Sequence, residues 1–327
     1  MISILMPVKN AAAFLPECLE SLQNQTYKNF ELLAVDDGSI DGSYGVLLKY
    51  AAFDKRVKVF CHGGSGIIDA LSYGFLRSRG SYIHRMDADD KMPPGKLEEL
   101  LSLLQGSKDK TVATGKVSYF SSERVSSGYK RYENWLNSLE EPSDFYREIY
   151  RECVVASPNW LVRRKCFLED ILLENLSYPE DYDLVLKWHQ KGYRFIASKK
   201  VTHLWREHLK RTSRRSDIYN QESFFRLKTK FFVEKQWDGQ RPLQLIGATK
   251  KGRLLAKILF QMKIPFEWFH KDAAKLPSGF GVKDVSLVKA GQTSILAVWP
   301  LEARAQKQVA FFLRQKGLFF GRDVWLF

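Results

Sequence analysis

The chain lacks several features that define whole classes of protein. Its 327 residues contain no apolar run near the ~18–20 residues of a membrane-spanning helix. Only four cysteines are present and none forms a CxxC pair, which argues against a disulfide framework or a structural zinc site. The opening segment MISILMPVKN has no basic stretch ahead of an apolar one, so we expect no secretory signal. These absences favour a cytoplasmic protein.

Charge is distributed unevenly along the chain. There are 51 basic and 37 acidic residues, a net charge of +14. Residues 1–110 hold 13 basic and 14 acidic groups, whereas residues 241–327 hold 15 and 5. A strongly basic region can bind nucleic acid, an anionic membrane or an anionic substrate, or can simply be a solvated face. The apolar content of 45% is enough for a globular core.

Short apolar runs alternate with amphipathic segments in the first ninety residues. The runs are typical of buried strands and lie at 3–8, 30–35, 57–60 and 82–86. This alternation predicts an α/β fold with a doubly wound, mostly parallel sheet, in which ligands gather at the carboxyl ends of the strands. Polar side chains stand at those ends: Asn10, Asp36, Asp37 and the cluster Asp87–Asp90.

The middle of the chain has weaker periodicity. We expect loop and helix over 118–150, a helix from Tyr182 to Gln190, a basic loop over 198–217 and a helix over 218–235. A composition change near Gly239 predicts a boundary between two domains.

Residues 1–239 would form the catalytic domain and residues 240–327 a small Rossmann-like domain, with its last helix over 301–316. The segment GATKKG (247–252) is similar to a dinucleotide-binding turn. Thr249 stands where that fingerprint has the glycine that allows close approach to pyrophosphate. We therefore expect a degenerate module used for packing, dimerisation or docking, with nucleotide binding as the alternative.

Three acidic motifs carry the candidate chemistry, and each has a purely structural alternative. Asp87 and Asp89 lie two residues apart at a strand end, where alternate side chains point the same way and suit Mg²⁺ or Mn²⁺. They also fit a solvated turn that caps a helix. The pair at 36–37 fits either nucleobase or ribose recognition or a plain turn. The segment EDYD (180–183) fits either a general base or a helix cap.

Taken together and in this order, the motifs resemble those of the family-two glycosyltransferases, which have the GT-A fold. The similarity covers about residues 1–230. Five segments carry it: SILMPVKN (3–10), VDDGSID (35–41), GSYIHRMDADD (80–90), PEDYDL (179–184) and WREH (205–208), the last followed by Thr212 and Ser213.

The resemblance implies an inverting, metal-dependent enzyme that moves a sugar from a UDP-, GDP- or dTDP-sugar to a hydroxyl of a glycan or lipid-linked glycan, in cell-surface polysaccharide synthesis. The cofactor it implies is Mn²⁺ or Mg²⁺. It also implies residue roles: Pro7, Val8, Asn10, Asp36, Asp37, Asp87 and Arg206 would bind the donor nucleotide, Asp87, Asp89 and His208 the metal, and Asp181 would be the catalytic base.

Two rival functions stay open. A sugar-nucleotidyltransferase has a related sheet, but its glycine-rich basic loop is missing from residues 6–14. A non-catalytic basic binding protein fits the net charge, but carboxylates at the strand ends would repel a phosphate backbone, so we expect no nucleic acid. The basic tail suggests peripheral contact with an anionic membrane at its inner face, or a homodimer through the C-terminal domain.

Overall fold

The protein forms two compact units in a computed structural model. The structure describes residues 1–122, 124–171, 173–209, 211, 217–275, 281–300 and 302–327. Unit 1 comprises Met1–Pro142 and Val154–Ser216, and unit 2 comprises Ser143–Cys153 and Asp217–Phe327. The predicted boundary at residue 239 stays a prediction, since unit 2 also takes in 143–153 and 217–239.

The described helices are distributed over both units. They are α1 (Leu15–Gln23), α2 (Ser43–Phe53), α3 (Ile67–Arg77), α4 (Lys96–Gln105), α5 (Ser127–Asn137), α6 (Pro142–Glu148), α7 (Arg164–Asp170), α8 (Glu180–Gln190), α9 (Gln221–Gln236), α10 (Lys250–Gln261) and α11 (Ala303–Gln315). None of them is both long enough and apolar enough to cross a membrane.

Unit 1 is built on a seven-stranded sheet. Its strands are β1 (Ile2–Val8), β2 (Phe30–Asp36), β3 (Val57–Cys61), β4 (Tyr82–Arg85), β5 (Thr111–Phe120), β6 (Trp160–Arg163) and β7 (Arg194–Arg206). Their spatial order is β3-β2-β1-β4-β6-β5-β7, and β6 alone runs antiparallel to its neighbours. The predicted mostly parallel sheet is therefore confirmed.

The core of unit 1 explains why its first helices form where they do. In α1 the residues Leu15, Cys18, Leu19 and Leu22 are buried at helical spacing. They pack in one cluster with apolar side chains of β1, β2 and α4. A proline in the first turn fixes the start of α1, because proline fits there and not in a helix interior.

One prediction for the middle of the chain is wrong. Residues 198–206, expected as part of a basic loop, belong to β7, which lies at the edge of the sheet and pairs in parallel with β5. Lys199 and Lys200 are exposed there, and lysine is a common residue on edge strands because it discourages further pairing. Thr212 and Ser213 lie outside the described residues, as does Leu301.

Unit 2 contains a second sheet of five parallel strands. They are β8 (Leu243–Ile246), β9 (Phe266–His270), β10 (Val282–Asp284), β11 (Ser294–Leu296) and β12 (Val324–Leu326), in the order β10-β9-β8-β11-β12. β8, the first of these strands in the chain, is the central strand, and the later strands are added on both sides of it, as in a Rossmann-like module. In the first turn of α10, Gly252 lies close to the backbone of Gly247, just after β8. A Cβ at Gly252 would lie 2.2 Å from the Gly247 carbonyl oxygen, so this close approach requires glycine.

Candidate functional site

Two carboxylates are buried where β1 and β2 end. Asp36 and Asp37 are 2% and 3% exposed, and the backbone N–H of Asp37 donates to the carbonyl of Val8 at 2.8 Å. Asp36 Oδ2 accepts a hydrogen bond from Ser39 N at 3.1 Å. Within the described part of the chain, Oδ1 of each aspartate is buried without a hydrogen-bond partner. The predicted residue Pro7 lies beside them, paired in register with Val35.

Three further groups surround Asp37 that the motif comparison did not identify. Lys9 Nζ donates to the Asp37 carbonyl at 2.7 Å, and Gly66 N donates to Oδ2 at 3.1 Å. His62 Nδ1 lies 3.6 Å from Asp37 Oδ1.

Asn10 has a left-handed φ of 52°, and its side-chain oxygen accepts from Ile40 N at 2.9 Å. In this structure the Asn10 side chain therefore supports the turn at 39–41.

A buried arginine connects the end of β4 with the start of α8. Arg85 Nε donates to Asp87 Oδ1 at 2.8 Å, and its Nη1 donates to Glu180 Oε1 at 3.0 Å. Burial raises the pKa of Asp87, and the guanidinium of Arg85 opposes that shift. The first aspartate of the 87–90 turn and the predicted base Asp181 are thereby held on adjoining elements.

The second aspartate of the turn faces a histidine that follows β7. Asp89 Oδ2 lies 2.8 Å from His208 Nε2, and both side chains are half-buried. Arg206 Nε donates to the Asp89 carbonyl at 2.6 Å, and its Nη2 donates to Glu17 Oε2 at 3.1 Å. Asp89, Arg206 and His208, three predicted site residues, are thus brought together.

The third aspartate of the turn has buried partners of its own. Asp90 is 1% exposed; its Oδ1 accepts from Arg206 N at 2.7 Å, and its Oδ2 lies 2.9 Å from His203 Nε2. Lys96 lies behind His203, with Nζ 3.1 Å from its Nδ1. The sequence offered no signal for Lys96 or His203, because lysine is mostly exposed in proteins and histidine is as often partly exposed as buried.

Asp181 lies in the first turn of α8. Its Oδ1 accepts from Tyr182 N at 2.8 Å. Burial raises the pKa of Asp181 to about 7; the negative charge of Glu180 adds to the rise and Arg85 opposes it. A carboxyl group with this pKa is suited to exchange a proton near neutral pH.

Metal-binding capacity rests on a pair of side chains. Among the described residues, no group of three or more His, Cys, Asp or Glu side chains is arranged as a ready-made metal site. Asp89 and His208 supply one carboxylate and one imidazole, while Asp87 Oδ1 is engaged by Arg85. Mg²⁺ and similar ions are commonly bound by one or two carboxylates together with substrate phosphates, so this donor set fits such an ion.

The fold is shared with a solved protein structure. S. aureus TarS 1–349, crystallised in complex with UDP-GlcNAc, superposes with a TM-score of 0.58 at 18% identity over 79% of this chain and 71% of that one. At this identity the similarity establishes the fold alone, which is GT-A with a second parallel sheet after it.

Sequence relatives point to the same family. An uncharacterized glycosyltransferase of Haemophilus influenzae is 30% identical over 56% of this chain and 58% of its own length. Chondroitin synthase of Pasteurella multocida is 29% identical over 59% of this chain and 19% of its own. The chain therefore spans less than two thirds of these relatives. The family model described as "Glycosyl transferase family 2" matches residues 3–170, so the chain belongs to glycosyl transferase family 2.

Proposed function

We propose that the chain transfers a sugar, with inversion, from a nucleotide-diphosphate donor to a hydroxyl of a glycan or lipid-linked glycan. The observation that carries this proposal is the arrangement around Arg85, which contacts both the 87–90 turn and Glu180, the neighbour of Asp181. A donor-side acidic turn and a candidate base thereby share one buried cation.

The donor nucleoside would bind at Asp36 and Asp37. Each has a buried Oδ1 without a hydrogen-bond partner among the described residues, and a nucleobase N–H or a ribose hydroxyl can supply the missing donor. The backbone near Pro7 and Val8 and the side chain of Asn10 would complete this end. The UDP-GlcNAc complex of TarS supports a uridine or similar nucleotide without deciding among UDP, GDP and dTDP.

The diphosphate would meet a divalent cation held by Asp89 and His208, with Asp87 nearby. Mn²⁺ or Mg²⁺ bound there would neutralise negative charge as the diphosphate leaves. Arg206 already bonds the Asp89 carbonyl and Glu17, so its guanidinium would act on the diphosphate from a fixed position.

Asp181 would act as the general base. Its carboxylate takes the proton from the acceptor hydroxyl as that oxygen attacks the anomeric carbon. The bond from the anomeric carbon to the diphosphate oxygen breaks on the opposite face, and its electron pair leaves with the diphosphate. One displacement of this kind inverts the anomeric configuration.

The setting that we propose is cell-surface polysaccharide synthesis at the inner face of a membrane. The support is the basic composition of residues 241–327, with 15 basic against 5 acidic groups, which would favour an anionic lipid surface. A homodimer through residues 240–327 is a further proposal for the same region.

A panel of nucleotide sugars tests the function. Purified chain is incubated with each donor, Mn²⁺ and glycan or lipid-linked acceptors, and release of free nucleoside diphosphate is followed. We expect one donor to be consumed in an acceptor-dependent reaction and the reaction to stop with EDTA. Asp89→Ala should abolish metal-dependent turnover with the fold intact. Undiminished transfer by this variant would refute the role of Asp89.

A further inference from the structure

We propose that Lys96 and His203 are positioning residues for the proposed metal-binding turn. In this view a buried chain from Lys96 through His203 to Asp90 fixes the third aspartate, and Asp90 fixes the turn that presents Asp89. The inference rests on the proposed function and deepens it, since it separates the role of Asp90 from that of the two aspartates before it.

The series of contacts from Lys96 through His203 to Asp90 is continuous and fully buried. Lys96 Nζ donates to the carbonyl of Pro158 at 2.7 Å and lies 3.1 Å from His203 Nδ1. His203 Nε2 lies 2.9 Å from Asp90 Oδ2. Lys96, His203 and Asp90 are 1%, 0% and 1% exposed, so water does not compete for these bonds. Ionisable groups buried to this degree are rare unless they are paired.

We assign a direction to these hydrogen bonds. With Lys96 as an ammonium group, which only donates, His203 Nδ1 accepts from it, and the proton of the neutral ring would be on Nε2, facing Asp90. Burial, together with the positive charge of Lys96, keeps the pKa of His203 well below its usual value, which agrees with a neutral ring. Burial lowers the pKa of Lys96 to about 7, and the carboxylates of Asp90 and Asp87 oppose that shift.

Asp90 in turn positions Arg206 and, through it, the Asp89 backbone. Its Oδ1 accepts from Arg206 N at 2.7 Å, and Arg206 Nε donates to the Asp89 carbonyl at 2.6 Å. The end of β7 is therefore joined to the turn at two points, the Asp90 side chain and the carbonyl of Asp89, whose carboxylate faces His208 at 2.8 Å. Loss of the contacts from Lys96 through His203 to Asp90 would leave the 87–90 turn less firmly held, while the side chains of Asp89 and His208 themselves stay unchanged.

Four variants test the proposal. His203→Leu and Lys96→Met break the chain, while His203→Gln retains an N–H donor toward Asp90. His84→Leu is the matched control, because His84 is a buried histidine of the same sheet that bonds the Trp160 carbonyl instead of the turn. Thermal unfolding of every variant is recorded first, so that losses are compared at known stability.

Three readouts separate positioning from packing. Mn²⁺ binding without donor is measured by electron paramagnetic resonance, and donor KM and kcat are measured for the donor that the wild type uses. The tautomer of His203 in the wild type is read from imidazole ¹⁵N shifts, assigned by its loss in His203→Gln. Partners of metal ligands typically change affinity or activity by about 10–100-fold. We therefore expect His203→Leu and Lys96→Met to lose at least about 10-fold in Mn²⁺ affinity.

The outcomes distinguish failure of the positioning role from failure of the proposed function. Support consists of an Nε2–H tautomer, weakened Mn²⁺ binding in the two disrupting variants, partial recovery in His203→Gln and wild-type Mn²⁺ binding in His84→Leu. Wild-type Mn²⁺ affinity and donor KM in folded His203→Leu overturn the inference and leave the proposed function standing, as does an Nδ1–H tautomer. A wild type that binds no Mn²⁺ and consumes no donor contradicts the proposed function itself, and the positioning role with it.

Discussion

At the scale of single residues, Arg85 has the widest influence on the site. Its two hydrogen bonds, to Asp87 and Glu180, are made by a side chain that is only 5% exposed. Removing one partner of a buried ion pair is costly, because the other charge stays buried without compensation. The charges around Asp181 are therefore set by neighbours that are themselves fixed in place.

Substitution of the proposed base should separate binding from chemistry. Asp181→Asn keeps the size of the side chain and removes its ability to take a proton. We expect donor binding to stay within a few-fold of the wild type and transfer to fall by about 10²–10⁴-fold. Isothermal titration with the nucleotide and single-turnover transfer measure the two effects. Turnover at the wild-type rate would move the base to another residue.

The pH dependence of transfer follows from the raised pKa of Asp181. Below its value of about 7 the carboxyl is protonated and cannot accept a proton, so kcat should rise with pH and level off above neutrality. Glu180→Gln removes a negative charge that contributes to the raised pKa of Asp181, so its profile should shift to lower pH. A rate independent of pH between about 5 and 8 would contradict this assignment of the base.

At the scale of elements, the first four strands were predictable from sequence within a few residues, and the amphipathic segments between them form α1 to α3. Each is a local pattern, an apolar run or a helical spacing, that needs no distant partner to be recognised. β7 was not predictable, because its lysines belong to an edge strand whose pairing with β5 is fixed only in the folded chain. The buried partners Lys96 and His203 were missed for the same reason: they meet across 107 residues of sequence.

The pairing of β5 with β7 depends on a glycine. A Cβ at Gly115 would lie 2.5 Å from Thr202 Oγ1, where the register between the strands shifts. Gly115→Ala should cost about 1–3 kcal/mol in the free energy of unfolding and reduce transfer, because β7 carries His203 and leads to His208. Urea denaturation and a transfer assay measure these effects.

Two companions make that test specific. Thr202→Ala combined with Gly115→Ala removes the closest atom, so the double variant should show a favourable coupling energy. Gly45→Ala is the control, because a Cβ there meets nothing within 4 Å and the site is inside α2. It should stabilise by about 0.5–1 kcal/mol. Equal costs for the two glycine substitutions would exclude a steric role for Gly115.

At the scale of the whole molecule, charge separates two regions of the chain. Residues 1–110 are close to neutral, whereas residues 241–327 contain three basic groups for each acidic one. The five strands of the second sheet all lie within this basic region. Unit 2 also includes the segment 143–153, whose Tyr150 packs on Phe232 and Phe327. The total charge therefore describes neither region.

Association with lipid should depend on this basic region. We expect the chain to sediment with phosphatidylglycerol vesicles at low salt and to be released at about 1 M salt, where the Debye length is about 3 Å. Phosphatidylcholine vesicles are the control for non-electrostatic adsorption. Failure to sediment with anionic vesicles at low salt would contradict the proposed membrane contact.

The contact between Asp89 and His208 joins residues that are 119 positions apart. A ribosome adds about 5–20 residues per second, so the acidic turn emerges on the order of ten seconds before its imidazole partner exists. Contacts of such range also require closure of a long loop, which slows their formation. During synthesis, the nascent chain therefore carries Asp89 before His208 exists, and the proposed catalytic centre matures late in the folding of unit 1.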